Sequence, residues 1–233
     1  ASTLVEDERT APDVAERARA GARLGLLTPV VKSWSSKFGF VANDLAIQVL
    51  GGAGYLRDHP VEQLLRDQRL NPIHEGAEGI HGLDLLGRKI VLDGGAAFDA
   101  LCSEIAKESA QARLDVALAP IGEELARALA DIQAATRAID AIRRSDIDRA
   151  LANATIYLEA FGHVVVGWLW LRQAAIADAM MQRGASDADM AFYRGKIHTA
   201  LYFAQWELAQ ISTACRLLVG INTVPYEMRD SWF

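Results

Sequence analysis

Cysteine is almost missing from this chain: Cys102 and Cys215 are the only two in 233 residues, far apart and in no CxxC pair. That excludes a disulfide framework and a thiolate zinc site, and it suits a reducing, cytoplasmic setting. Proline is scarce and unevenly placed. Its six copies are Pro12, Pro29, Pro60, Pro72, Pro120 and Pro225, so the stretch from 121 to 224 carries none. No HExxH or HxxxH spacing occurs among His59, His74, His81, His163 and His198, so no metal site is expected. Strict alternation of apolar and polar residues, the mark of a half-buried strand, is also absent. Positive charge runs a deficit, 24 Lys and Arg against 30 Asp and Glu, for a net −6. A net acidic chain repels phosphate backbones, which disfavours general nucleic-acid binding. Residues 1–20, ASTLVEDERTAPDVAERARA, lack the apolar core of a signal peptide. The most apolar window, AFGHVVVGWLWL at 160–171, lies between Glu159 and Arg172 and falls short of the roughly 20 residues a spanning helix needs. It reads as a buried core helix, and no membrane partner is expected.

What remains is 51% hydrophobic and 23% charged, the profile of a folded globular protein. The proline-free stretch is rich in Ala and Leu, which favours long helices. Ile121, Leu125, Ala128, Ile132, Ala135, Ile139 and Ile142 recur at alternating fours and threes, one face of a helix. The fold class is all-α.

Punctuation sets the expected boundaries. Residues 1–10 read as a loop or linker. Pro12-Asp13 opens a helix toward Trp34 that is kinked or broken at Pro29. A second helix covers about 42–50 and stops at the glycine-rich GGAGY, and a third covers about 60–70. The segment NPIHEG at 71–76 is expected to be a connection, because Pro72 and Gly76 flank it. A helix then runs to Gly94-Gly95, followed by helices over about 97–117, 121–143, 146–182 and 186–219. Ser145 and Ser186 are candidate N-caps. The glycine pair divides the chain into a site-like part and a helical part with little site chemistry.

Two runs carry candidate chemistry. In Gln48-Val49-Leu50-Gly51-Gly52-Ala53-Gly54-Tyr55, three glycines in four residues allow positive φ and close backbone approach. By spacing alone this is a C-cap and interhelical turn, with a phosphate-contacting loop as the alternative. Glu75 leaves from a constrained loop between His74 and Gly76, ahead of a helix. Its bland role is a helix-dipole or capping carboxylate. Its functional role requires an apolar pocket in which desolvation makes it a better base. His163 reads as a hydrogen-bonded core residue, and Glu62 with Arg66 and Asp67 as an ion-paired helix face. Trp168, Trp170, Tyr202 and Trp206 fall at helical spacing and are expected in the core.

Taken together, QVLGGAGYLRDHPVEQLLRDQRLNPIHEGAEGIHGLDLLGRK (48–89) resembles the C-terminal helical domain of the flavin-dependent acyl-CoA dehydrogenases. That family shows a Q-x-x-G-G-x-G-[YF] turn, a P-[VI]-E…R-D helix and an E-G-[TS] loop entering a helix, in this order and spacing. The match covers about residues 20–93. The tail ending in YEMRDSWF resembles the additional C-terminal domain of larger members such as the methylthiopropanoyl-CoA dehydrogenases. The resemblance implies an acyl-CoA dehydrogenase domain over 1–95, incomplete at its N-terminus, and the additional helical domain over 96–233.

By the same resemblance, Glu75 is the base that removes the α-proton of an acyl-CoA thioester, giving a trans-2-enoyl-CoA. The resemblance also implies that Gln48, Gly51, Gly52, Ala77 and Gly79 contact FAD, the first three typically on a neighbouring subunit, and that His74 and Gly76 lie against substrate. It further implies a homo-oligomer and an electron-transfer flavoprotein as acceptor. Three positions depart from the family pattern. Ala77 stands where a Thr usually touches FAD, Glu78 adds a charge beside the base, and His74 replaces a frequent Tyr. Family members carry N-terminal helical and central β-domains, so this chain is expected to be the C-terminal part of such an enzyme and inactive alone. Alternatives are a helical interaction module with a decayed flavin site, an acyl-CoA oxidase, and an alkylation-response relative. The last would bind DNA through Arg127, Arg137, Arg143, Arg144 and Arg149.

Overall fold

The computed structural model describes residues 1–232, and every regular element among them is helical. The chain forms two compact units, one over Ala1–Phe98 and one from Asp99 onward.

In the first unit, α1 (Ser2–Thr10) packs on α2 (Val14–Pro29). The first ten residues were expected to be a loop. They are a helix because nothing before Pro12 breaks one and Leu4, Glu6, Glu8 and Arg9 all favour it. Asp13 caps α2 by accepting from the Ala15 N–H at 2.9 Å. At Pro29 the backbone continues instead of breaking, through a π-helical turn over Val30–Trp34 into α3 (Ser35–Leu50). A proline in a helix removes one donor and crowds the preceding turn, yet the helical path carries on past it. α3 therefore begins seven residues before the expected position 42.

α4 (Val61–His74) runs antiparallel to α3: Gln68 donates to the Ser36 carbonyl at 3.0 Å, and Asn43, further along α3, donates to the carbonyl of the earlier Leu64 at 3.4 Å. The expected connection over 71–76 is corrected here. α4 continues through Pro72, because a proline so close to the C-terminus sacrifices only one bond, and the connection shrinks to residues 75–77. α5 (Glu78–Asp84) leads into a π turn over Leu85–Lys89 and a 3-10 turn over Leu92–Gly95. The apolar interior of this unit includes Leu26, Leu27, Val30, Leu85, Leu86 and Ile90. By contrast, α4 buries no residue and α3 buries only Ser36.

The second unit is a bundle of α6 (Ala96–Ala112, whose first turn contains the unit boundary), α7 (Ala119–Arg143), α8 (Ile147–Leu151), α9 (Ala154–Gln182), α10 (Asp187–Tyr202), α11 (Ile211–Val219) and α12 (Val224–Glu227). The predicted stripe on α7 is buried from Ile121 to Ile139, and Ile142 is half-buried. α9 has 29 residues and by length and composition alone could cross a membrane. Two-thirds of its apolar window (67%) is buried inside the unit, the packing of a core helix.

Ser186 caps α10, accepting from the Asp189 N–H. The other predicted cap shifts by one residue: Asp146, not Ser145, caps α8. Trp168 is buried and donates to Glu108 at 2.7 Å, and Trp170 is half-buried beneath Lys196. Tyr202 and Trp206 are a correction. Both are exposed, and they stack on each other with ring centroids 5.9 Å apart. Their four-residue spacing does put the two rings on one face, but that face is turned to solvent. His163 is buried as expected, bonded through Nδ1 to the Glu159 carbonyl at 2.9 Å.

Burial pushes the Cys102 and Cys215 thiols up to about 12, with Asp99 and Asp131 respectively adding repulsion. A thiol held protonated is a poor nucleophile. Neither cysteine should react with a disulfide reagent in the native protein at about pH 8. Both should react after denaturation, and a thiol titration in each state checks this.

Candidate active site

The connection between α4 and α5 is three residues long, and its backbone is held from several directions. The Asn71 carbonyl accepts from Gly76 N–H at 2.8 Å and from Glu75 N–H at 3.3 Å, closing α4. A ring nitrogen of His81 lies 2.6 Å from the Glu75 carbonyl oxygen, a contact in which the ring donates. Gly76 is buried against the first turn of α3. A Cβ there would strike the Ser36 hydroxyl and lie 2.8 Å from the Asn71 carbonyl oxygen. Only glycine allows the two helices to close at this point.

The side chain of Glu75 has the opposite character. It is 63% exposed, and its Oε2 lies 3.2 Å from the ammonium of Lys32, on the π turn after Pro29. The expected position of Glu75, at a helix N-terminus, is corrected. Glu75 is the C-cap of α4, and the N-cap of α5 is Ala77, which offers no side-chain bond. A carboxylate at a helix C-terminus meets the negative end of the dipole, so the capping and dipole role does not account for this residue. Beside it, Glu78 pairs with Lys37 at 3.3 Å, so the extra charge noted in the sequence is met locally. His74 and Gly79 are exposed, and open space surrounds Gly79.

The glycine run lies elsewhere. Gly51 caps the C-terminus of α3 with φ +59°, and Gly51–Tyr55 forms a 3-10 turn. Gly52 is exposed with nothing within 4 Å of a would-be Cβ, and Gln48 is exposed on the last turn of α3. Since α3 has 16 residues, its two ends are about 24 Å apart. The structure thus gathers His74, Glu75, Gly76, Ala77 and Gly79 at one end of the α3–α4 hairpin, and Gln48, Gly51 and Gly52 at the other.

The sequence reading missed Lys32, Ser36, Lys37, Gln68 and Asn71. Lys32 and Lys37 lie 43 and 41 positions before their partners, and no local spacing signals such pairs. Arg66 pairs with Glu62 at 3.4 Å, as anticipated. Of the arginines that a DNA-binding face would need, Arg127, Arg143 and Arg149 pair with Glu124, Asp140 and Asp146 on their own segments. Among the described residues no cluster of His, Cys, Asp and Glu could hold a metal ion.

Gly76→Ala should cost about 1–3 kcal/mol of stability, because its methyl must displace both Ser36 and the end of α4. Ser36→Ala should not rescue it, since the Asn71 carbonyl remains. Urea unfolding of the single and double variants reads both effects.

Residues 8–90 match the family model of the acyl-CoA dehydrogenase C-terminal domain, and residues 101–229 match that described as acetyl-CoA dehydrogenase C-terminal like. A 3-methylmercaptopropionyl-CoA dehydrogenase of Ruegeria pomeroyi is 33% identical over 84% of this chain and 33% of its own length. A broad-specificity linear acyl-CoA dehydrogenase of Mycobacterium tuberculosis is 29% identical over 89% of the chain and 35% of its own length. A butyryl-CoA dehydrogenase of Syntrophomonas wolfei is 28% identical over 96% and 37%. The chain spans about a third of the length of these relatives. On the strength of matches that run through both compact units, the chain belongs to the acyl-CoA dehydrogenase family.

Proposed function

We propose that this chain supplies the catalytic base and part of the cofactor site of a flavin-dependent enzyme that α,β-dehydrogenates acyl-CoA thioesters to trans-2-enoyl products. One observation carries the reading: Glu75 stands on a backbone pinned from several sides, yet presents an accessible carboxylate that caps neither adjacent helix. A base must be held to within a fraction of an ångström while its oxygens stay free to reach a proton.

Glu75 takes the α-proton of the thioester. That proton is only weakly acidic, so the negative charge forming on the thioester oxygen needs a donor aimed at it. The Glu75 N–H suits this task. Its bond to Asn71 is long at 3.3 Å, and the shorter Gly76 bond keeps that carbonyl satisfied when Glu75 lets go. Bound FAD would supply the acceptor for the β-hydrogen. Ala77 and Gly79 would meet it through backbone alone, and His74 and Gly76 would border the acyl chain. Open space at Gly52 and Gly79 and the positive φ of Gly51 fit close approach by a ligand.

Because Gln48, Gly51 and Gly52 stand a helix length from Glu75, one cofactor does not account for both clusters by local contact. The glycine turn belongs instead to the cofactor of a second subunit, which makes the working enzyme a homo-oligomer. Val41, Leu45 and Val49 are exposed along one face of α3, the kind of apolar stripe that an assembled enzyme covers. The onward electron acceptor would be an electron-transfer flavoprotein. Pairing of Glu78 with Lys37 weighs against the alternative of a decayed site, since the added charge is offset where it arises.

In the full-length enzyme, Glu75→Gln should lower kcat by roughly 10²–10⁴-fold with flavin still bound. Steady-state kinetics together with the flavin absorbance spectrum test this, and retained activity removes Glu75 as the base. The 233-residue chain by itself should not oxidise acyl-CoA with an artificial acceptor, because the face around Glu75 stands open to water. Any turnover above a Glu75→Gln control contradicts that.

A further inference from the structure

The side chain nearest the proposed base in charge and distance is one that no sequence motif singles out. Lys32 reaches Glu75 Oε2 at 3.2 Å from the middle of the π turn Val30–Trp34, which follows Pro29 at the end of α2. Five residues on, Lys37 reaches Glu78 at 3.3 Å. In a regular α-helix, residues five apart point about 140° away from each other around the axis. The wider winding of a π turn reduces that angle. Two lysines thereby serve two carboxylates three residues apart, and the segments over 30–37 and 75–78 are joined by paired charges.

We propose that Lys32 is a positioning residue for Glu75, holding its carboxylate by one oxygen before substrate arrives and leaving the other to receive the proton. The inference rests on the reading of Glu75 as the base. The ion pair is suited to such a role because it is soft. Its partners are 40% and 63% exposed, and ion pairs of that kind contribute little to folding, so an incoming ligand can reorient them at small cost. A lysine ammonium offers point-charge attraction on a flexible stem, whereas the backbone beneath Glu75 supplies the rigidity.

The test uses the full-length, flavin-loaded enzyme. Lys32→Met should lower kcat roughly 10-fold while KM for the acyl-CoA stays within about 2-fold, the pattern of a lost contribution to the chemical step and not to binding. Lys32→Arg should recover most of kcat. Flavin content and the circular dichroism spectrum should match wild type in both, which separates positioning from misfolding. Adding Lys32→Met to Glu75→Gln should slow the enzyme no further, since the lysine acts through that carboxylate. The proposal is overturned if Lys32→Met leaves kcat unchanged, if the loss falls on KM, or if Arg does not restore it. An active Glu75→Gln enzyme overturns the base itself and the lysine's role with it. An inactive Glu75→Gln beside a fully active Lys32→Met overturns only the positioning.

Discussion

The close approach of Gly76 to the first turn of α3 sets the geometry of everything around it. Residue 76 sits where a side chain would collide with the Ser36 hydroxyl and the Asn71 carbonyl, so the end of α4 and the start of α3 meet through backbone and one small hydroxyl. That contact fixes how the hairpin closes, and the closure brings the π turn after Pro29 beside residue 75. The ion pairs of Lys32 with Glu75 and Lys37 with Glu78 follow from it, as does the bond from Gln68 to Ser36. A larger residue at 76 would not merely loosen a loop; it would separate the lysines from their carboxylates.

The two units divide the work in opposite ways. From Asp99 onward the interior is thick with apolar side chains, and its reactive groups are disarmed. Both thiols are held protonated by burial, the Tyr157 hydroxyl is driven upward by burial while bonding Thr136 at 2.6 Å, and His163 is tied to a helix carbonyl. The first unit has a small core, and its candidate residues sit on helices that bury almost nothing within it. Exposed apolar faces are costly for a surface that stays bare, and ordinary for one that meets substrate, cofactor or another subunit.

Much of the architecture was legible because helices are local. Spacing along α7 predicted its buried face, Pro12-Asp13 marked the opening of α2, and Ser186 announced α10 as its cap. Errors arose where one local signal met a competing one. Pro72 suggested a break, but a proline near a C-terminus costs only a single bond, so α4 passed through it. Tyr202 and Trp206 share a face, as their spacing required, but spacing alone does not say whether that face meets the core or the solvent. At the site, Glu75 and the glycine run stood out by type and order. Lys32 did not, because its significance depends on a backbone distortion and a contact spanning 43 residues, neither of which leaves a periodic trace.

Two of the three π turns among the described residues carry side chains whose placement the spacing did not reveal: Trp206 lies on one and is exposed, and Lys32 lies on another and pairs with Glu75. π turns are frequent where a side chain is put to functional use. At Val30–Trp34 that side chain is Lys32, whose ammonium lies beside a carboxylate that neither adjacent helix end would stabilise. Each feature looks like a defect in isolation, and together they leave an accessible carboxylate on a backbone that cannot drift.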